Sequence, residues 1–334
     1  MADIWLNIPS FTIEARKRLT HESAKQGFAA AAKALKRFHN INVSENTVRR
    51  VVEQEGRQIQ EFLKKEKTAT EDFRESDGVT ETTVDGVMVN TYVEEKGADS
   101  WREMKVALVS KREIGASCSP ETMDSRKLPS PKAVCATAAI ESSEEFGLHW
   151  AALLKRCHVF DFPNLHVLAD GARWIWNMAD KYFYRYQGCL DFYHASQTLY
   201  AAVKEMYDDP EEQNRKYQTL RTELLYNGWS GLQQELNNLR LELPSFIWEE
   251  YGEKLYKYFS KQAEHLNYSS RLQDGYSIGS GQVEGANKQL VTRRLKQTGA
   301  RWRIRHANEM VSLLIAYRYN TLDKYWLYCY NNSC

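Results

Sequence analysis

Three acidic residues are set apart by their context. Asp85 interrupts the β-rich run TTVDGVMVNTYV and is followed at once by Gly86. Asp170 closes the apolar run NLHVLAD and is also followed by a glycine. Glu284 opens a helix-like stretch after Gly279, Ser280 and Gly281. Carboxylates at strand ends are expensive to bury unpaired, so each calls for a positive partner. Oxygen ligands from strand ends and a helix suit Mg²⁺ or Mn²⁺. Two such ions about 3.5–4 Å apart can activate a water or a sugar 3′-hydroxyl and steady a leaving oxygen. Each acid also has a plainer reading: Asp170 as the N-cap of the next helix, Asp85-Gly86 as a turn, and Glu284 as an i,i+4 partner of Lys288.

Directly after Glu284 the sequence turns basic. Residues 285–308 hold Lys288, Arg293, Arg294, Lys296, Arg301, Arg303 and Arg305 with no Asp or Glu, and Trp302 sits among them. Such a stretch could track a phosphate backbone and stack a base, or it could be a solvated helix face. The whole chain gives no hint either way, because its 334 residues carry a formal net charge of only +1. A nucleic-acid role must rest on where the charge sits.

The elements that must position these groups follow from periodicity. Residues 19–65 are helical in pattern, with Phe28, Ala31, Ala32, Leu35 and Phe38 on one face. Ser44 reads as the N-cap of a second helix that carries Arg49 and Arg50. The pair is either a DNA-reading helix-turn-helix or a helical hairpin that packs on the core. Residues 66–78 are polar without sustained period and read as a linker.

TTVDGVMVNTYV, MKVALVSKRE and KAVCATAAI then read as strands, with a helix from 144 to 154. NLHVLAD reads as a strand buried on both faces, and residues 187–192 as another short one. Alternation with helices predicts an α/β core around a mixed sheet. From 208 onward the pattern is helical, broken near Gly228 and Pro244. The apolar, aromatic segment 307–327 predicts a helix that packs back.

With 43% apolar and 27% charged residues the chain can bury a core, and bulk disorder is excluded. The six cysteines form no Cys-x-x-Cys pair, and Cys329 with Cys334 makes at best half a zinc site. Scattered thiols, and an N-terminus without a signal-like apolar stretch, fit a reducing cytosol. No apolar run is long enough to span a bilayer, so no membrane partner is expected.

TVDGVMV, HVLADGARWIW, CLDFYHA and GSGQVEGANKQLVTRRLKQTGARWR, in that order, resemble insertion-sequence transposases of the ISKra type, relatives of the Mutator-like and hAT-like DDE transposases. The resemblance covers roughly residues 79–319. It implies a ribonuclease-H-like mixed sheet flanked by helices, with Asp85, Asp170 and Glu284 as the catalytic triad holding two Mg²⁺ or Mn²⁺ ions.

On that basis residues 1–75 are an N-terminal helical region and 76–207 the first part of the core. Residues 208–270 are an all-helical insertion, and 271–334 complete the core. The family's Asp-x-x-His signature falls on Asp191 and His194, which shape the surroundings of the site rather than bind metal. His194 is equally readable as a hydrogen-bonded core histidine. The Arg301-Trp302 pair is implied to hold DNA.

The implied activity is cleavage at insertion-sequence ends and transfer of the 3′-hydroxyl to target DNA. It would be carried out by a homo-oligomer on double-stranded terminal repeats, in the bacterial cytoplasm at the nucleoid. One alternative is a transposase-derived DNA-binding protein without transposition activity. Another is a helical interaction protein whose arginines are merely solvated. Members of the group usually carry a longer N-terminal region with paired cysteines, which this sequence does not show, so the expectation is a shortened member or a fragment.

Overall fold

The computed structural model describes residues 11–92, 99–159 and 165–332. The opening segment 1–10 and Cys334 lie outside the described residues.

The chain begins with three helices, α1 (Ile13–Lys25), α2 (Phe28–His39) and α3 (Glu45–Lys65). Asn40 ends α2 in the left-handed conformation, φ 54°, which asparagine tolerates better than most residues. Ser44 caps α3 as expected, its hydroxyl accepting from the Thr47 N–H at 3.1 Å. Residues 66–78 are not a bare linker. They hold a 3₁₀ turn (Lys67–Thr70) and α4 (Glu71–Glu75), and Phe73 is buried beneath the Lys111 ammonium at 5.0 Å. A single aromatic anchor in a polar stretch gives no periodic signal, which is why the sequence reads as linker there.

β1 (Val79–Asn90) and β2 (Trp101–Arg112) pair antiparallel, and β3 (Ala133–Ala139) adds to β2 in the same sense. α5 (Ser143–Arg156) starts in a capping box formed by Ser142 and Glu145. β4 (Leu165–Ala169) pairs parallel with β1, α6 (Arg173–Tyr182) follows, and β5 (Gln187–Leu190) pairs parallel with β4. The five-stranded mixed sheet has the order β3-β2-β1-β4-β5.

Helices cover both faces of this sheet. Ala107 and Val109 of β2 point to the side of α5 and α6, with Val84 and Val167. Val106 and Leu108 alternate to the other side, with Val89 and the C-terminal helices. Near-continuous apolar strands are what two-sided burial requires.

α7 (Phe192–Met206) leads into α8 (Pro210–Glu242), which is interrupted at Gly228, φ 57° and ψ −136°. That backbone conformation favours glycine, and the Leu266 carbonyl occupies the space a side chain would need. α9 (Ser245–Ile247) starts at Pro244 and continues through a π-turn (Trp248–Gly252) into α10 (Glu253–Ser260), and α11 (Tyr268–Gln273) closes this region. These helices pack with α7 around Leu199, Leu224, Leu236 and Phe259.

α12 (Gly281–Ala286) continues through a π-turn (Asn287–Thr292) into α13 (Arg293–Leu295). The segment read as one helix over 307–327 is two, α14 (Ile304–Arg318) and α15 (Leu322–Asn332), parted near Asn320 at φ 56°, and both pack back. α14 is buried against α3, whose Val48, Val51, Val52 and Ile59 face inward. Among the described residues no helix is long and apolar enough to cross a membrane.

Candidate active site

The three parallel strands lie in register, and β4 and β5 end at the same level within β1. Val84 pairs with Ala169, and Ala169 with Leu190. The next residue on each strand is an aspartate: Asp85, Asp170 and Asp191. In open α/β sheets, the crevice outside the carboxyl ends of the strands is where ligands bind. Two of these acids were legible as site candidates from the sequence; the row itself is a property of the register.

Asp85 lies inside the twelve-residue strand β1, not in a turn. One carboxylate oxygen accepts the Gly86 N–H at 2.7 Å, and the other accepts the Asn287 amide at 2.6 Å. Burial, and then the neighbouring charge of Asp170, push its pKa above the ordinary aspartate value despite those bonds. Asp170 does not cap α6, whose N-cap is Ala172; its Oδ1 accepts the Ala172 N–H at 2.9 Å.

Asp191 is fully buried and caps α7, accepting the His194 N–H at 2.9 Å. Its other oxygen accepts the Ser280 N–H at 2.5 Å and the Ser280 hydroxyl at 2.6 Å. Burial alone would raise its pKa, but the hydrogen bonds from His194 and Ser280 outweigh it and hold the group at about 2.

His194 sits one turn into α7, its Nδ1 3.5 Å from Asp191. It is 40% exposed and not a core residue. Asp191 first, then the charges of Asp170 and Glu284, hold its pKa up at about 9. The imidazole is therefore an imidazolium at neutral pH, the local positive charge among the carboxylates.

Glu284 arrives from a segment anchored twice. Ser277 is held by Glu81 of β1, through its N–H at 3.3 Å and its hydroxyl at 3.0 Å. The Phe192 N–H donates to the Ile278 carbonyl at 2.9 Å, and Ser280 is held by Asp191. α12 then brings Glu284 to Asp191 and His194, with one ligand atom of each within 4.8 Å of the others. Among the described residues this is the one tight group of potential metal ligands. Asp85 and Asp170 stand beside it, with Asp170 acting on both Asp85 and His194.

The donor chemistry distinguishes the acids. Asp191 already accepts three hydrogen bonds and serves as an organising hub. Asp85, Asp170 and Glu284 offer hard oxygen ligands, a donor set that fits Mg²⁺ or Mn²⁺. The sequence did not reveal Asn287, Ser280 or the Glu81 anchor. Asn287 alone left a trace, three residues beyond Glu284 on the same helix face.

The basic stretch divides. Lys288, Arg293, Lys296, Arg301, Arg303 and Arg305 are exposed. Arg294 and Trp302 are not, which corrects the expectation that they contact DNA. Arg294 is 5% exposed, donates to the Ser23 carbonyl at 3.3 Å, and lies over Phe28 and Trp302 at 4.6 and 5.4 Å. Burial lowers its pKa to about 10. The Trp302 indole donates to the Leu295 carbonyl at 3.1 Å. Both side chains fasten the N-terminal helices to the core. Arg49 and Arg50 are exposed on α3. Cys329, half of the weak zinc candidate, is fully buried.

No family model and no curated protein matches this chain. Among solved structures it is similar to the Drosophila P element transposase strand transfer complex, with 12% identity and a TM-score of 0.33. That likeness covers 98% of this chain and 82% of the other.

Proposed function

We propose that this chain is a transposase acting through divalent metal on DNA, cleaving strands at insertion-sequence ends and transferring the 3′-hydroxyl to target DNA. Asp85, Asp170 and Glu284 are its metal-holding triad, on a ribonuclease-H-like sheet. The observation that carries this reading is the row of aspartates at one level across three parallel strands, with Glu284 brought to Asp191 and His194 at the edge of that row. A carboxylate pair whose pKa is raised at Asp85 is short of positive charge, and divalent ions are the natural remedy. When bound, two such ions supply an activated oxygen nucleophile and neutralise the leaving oxygen.

The chain's own residues position and neutralise. Asn287 orients the Asp85 carboxylate. Ser280 fixes Asp191, which in turn holds His194. Lys288, Arg293, Lys296, Arg301 and Arg303 form a phosphate-binding rim beyond Glu284, and Arg49 and Arg50 extend it on the N-terminal helices. Residues 208–270 act as a helical insertion between the two parts of the core, and the active form is a homo-oligomer on DNA.

The test is a nicking and joining assay on DNA carrying the inverted repeats that flank the gene. Strand cleavage that requires Mg²⁺ or Mn²⁺ is the expected result. A folded protein that binds these ends but never nicks them in either metal would reduce it to a transposase-derived DNA-binding protein.

A further inference from the structure

Next to Asp170 lies a cleft of about 1160 Å³ between α6, the start of β5 and α10 with the turn that follows it. Gly171, the residue after Asp170, forms part of its wall, and the Tyr258 hydroxyl fills the space a Cβ on Gly171 would need. The cleft therefore opens where the candidate site ends. The metal-holding triad makes no use of it.

Its lining combines three features. The first is an aromatic floor. Trp176, 5% exposed, stacks on His265 with ring centroids 3.9 Å apart and planes at 14°, and Tyr186 extends the stack at 6.4 Å. Burial lowers the pKa of His265, which favours its neutral form.

The second is unmet hydrogen-bonding capacity. Gln262 is 8% exposed, and its Oε1 has no partner; the buried Oδ1 of Asn267 has none either. Buried amide groups are almost always satisfied, so two orphans in one cleft point to a ligand that supplies N–H donors.

The third is a cationic rim. Lys254, Lys257 and Lys261 are exposed along one edge, spaced three and four residues apart, and Arg173 stands on the opposite helix. Among the described residues none of the four is in an ion pair. Asp180 and Glu264 also line the cleft, and Asp180 is held by the Tyr186 hydroxyl.

We infer that this cleft holds an unpaired stretch of a DNA strand, with a base on the aromatic floor and the phosphates along the lysine edge. Stacking platforms flanked by cations are how proteins take single strands. The volume exceeds the roughly 300–1,000 Å³ usual for a small-molecule pocket, which favours a strand over one enclosed nucleotide. In a duplex the Watson–Crick edges are already paired, so only an unpaired base can offer that edge to Gln262 and Asn267. An exocyclic amino group of unpaired adenine or cytosine offers two hydrogens, one for each acceptor, whereas thymine offers a single ring N3–H, so amino-bearing bases are preferred. The inference rests on the DNA-processing role proposed above and adds the substrate form: the strand next to the cut is splayed, not paired.

The experiment is fluorescence anisotropy with the full chain in EDTA, using labelled oligo(dA), oligo(dT) and a duplex, with unlabelled dAMP as competitor. Omitting divalent metal separates this test from the nicking assay: loss of nicking with binding intact defeats only the catalytic assignment. Oligo(dA) should bind about fivefold or more tightly than oligo(dT). Combining Lys254→Gln, Lys257→Gln and Lys261→Gln should shrink the salt slope of single-strand binding by about 0.7 for each lysine–phosphate pair removed. Gln262→Met, which keeps the side-chain volume, should erase the preference for oligo(dA) while melting stays at the wild-type value. An unchanged salt slope in the lysine variant overturns the inference. So does dAMP binding as tightly as the oligomer, which would make the cleft a free-nucleotide site.

Discussion

Glu81 and Asp85 stand on the same face of β1, four residues apart, and the structure treats them in opposite ways. Glu81 is buried and fully answered: Arg112 donates to both of its oxygens at 2.9 and 2.8 Å, and Ser277 adds two more bonds. Although burial opposes ionisation, Arg112, Arg271 and Ser277 hold its pKa below the ordinary value. Asp85 has an amide and a backbone N–H for partners and another carboxylate for a neighbour, and its pKa moves up. A charge that folding has neutralised is a structural part. One left short of positive charge is a candidate for holding a cation, and the proposed function rests on that difference.

The largest effect should come from the open cluster. Asp170→Asn should cut divalent-dependent strand cleavage by roughly 10³-fold or more while DNA affinity stays within about twofold. Retained cleavage in this variant would remove Asp170 from the chemistry.

Next comes the closed cluster. Glu81→Gln leaves Arg112 buried without a counter-charge and should cost about 3–5 kcal/mol in urea unfolding at neutral pH. The pH dependence has a definite sign. A carboxylate whose pKa is depressed on folding stabilises the fold above its unfolded pKa, and that contribution fades as pH falls through the folded value. The gap between wild type and Glu81→Gln should therefore narrow below the ordinary glutamate value of 4.5. A gap of equal size at pH 7 and pH 3 would mean that the ion pair is not its source.

A smaller effect tests the divided basic stretch. Replacing the exposed Arg293, Lys296 and Arg301 by Gln should lower the salt slope of duplex binding by about 0.9 for each cation–phosphate pair removed. Arg294→Gln should leave that slope alone and lower the melting temperature instead. The smallest change belongs to Asp85→Asn. Removing a poorly compensated charge should leave stability unchanged or slightly raised, in contrast to Glu81→Gln. A large loss of stability would erase the contrast between the two acids.

Much of the architecture was legible from periodicity and caps. Strands buried on two faces leave apolar runs, and Ser44, Gly228 and Pro244 mark helix boundaries by local chemistry. What was hidden depends on contacts distant in sequence. Phe73 gave no period in its polar surroundings. Arg294 and Trp302 read as DNA-facing because charge and aromaticity look alike inside and outside; only the packing of Phe28 against them decides. Ser277 and Ser280 are unremarkable residues until Glu81 and Asp191 close on them. Asp85, Asp170 and Glu284 stand out from context alone, and the resemblance pointed to His194 beside them, but nothing in the sequence marked Asn287 as the partner of Asp85.

The double anchoring of the connection from α11 to α12 has one more consequence. Ser280 binds a residue 89 positions earlier in the chain, and Ser277 one 196 positions earlier. The start of α12 is thus registered on the sheet itself, and it also takes a bearing from the neighbouring helices, because Ile278 packs among them and the Arg271 guanidinium of α11 donates to the Ser277 carbonyl at 2.7 Å. Changes in those helices that leave Ile278 and Arg271 in place should therefore spare the spacing of the carboxylates.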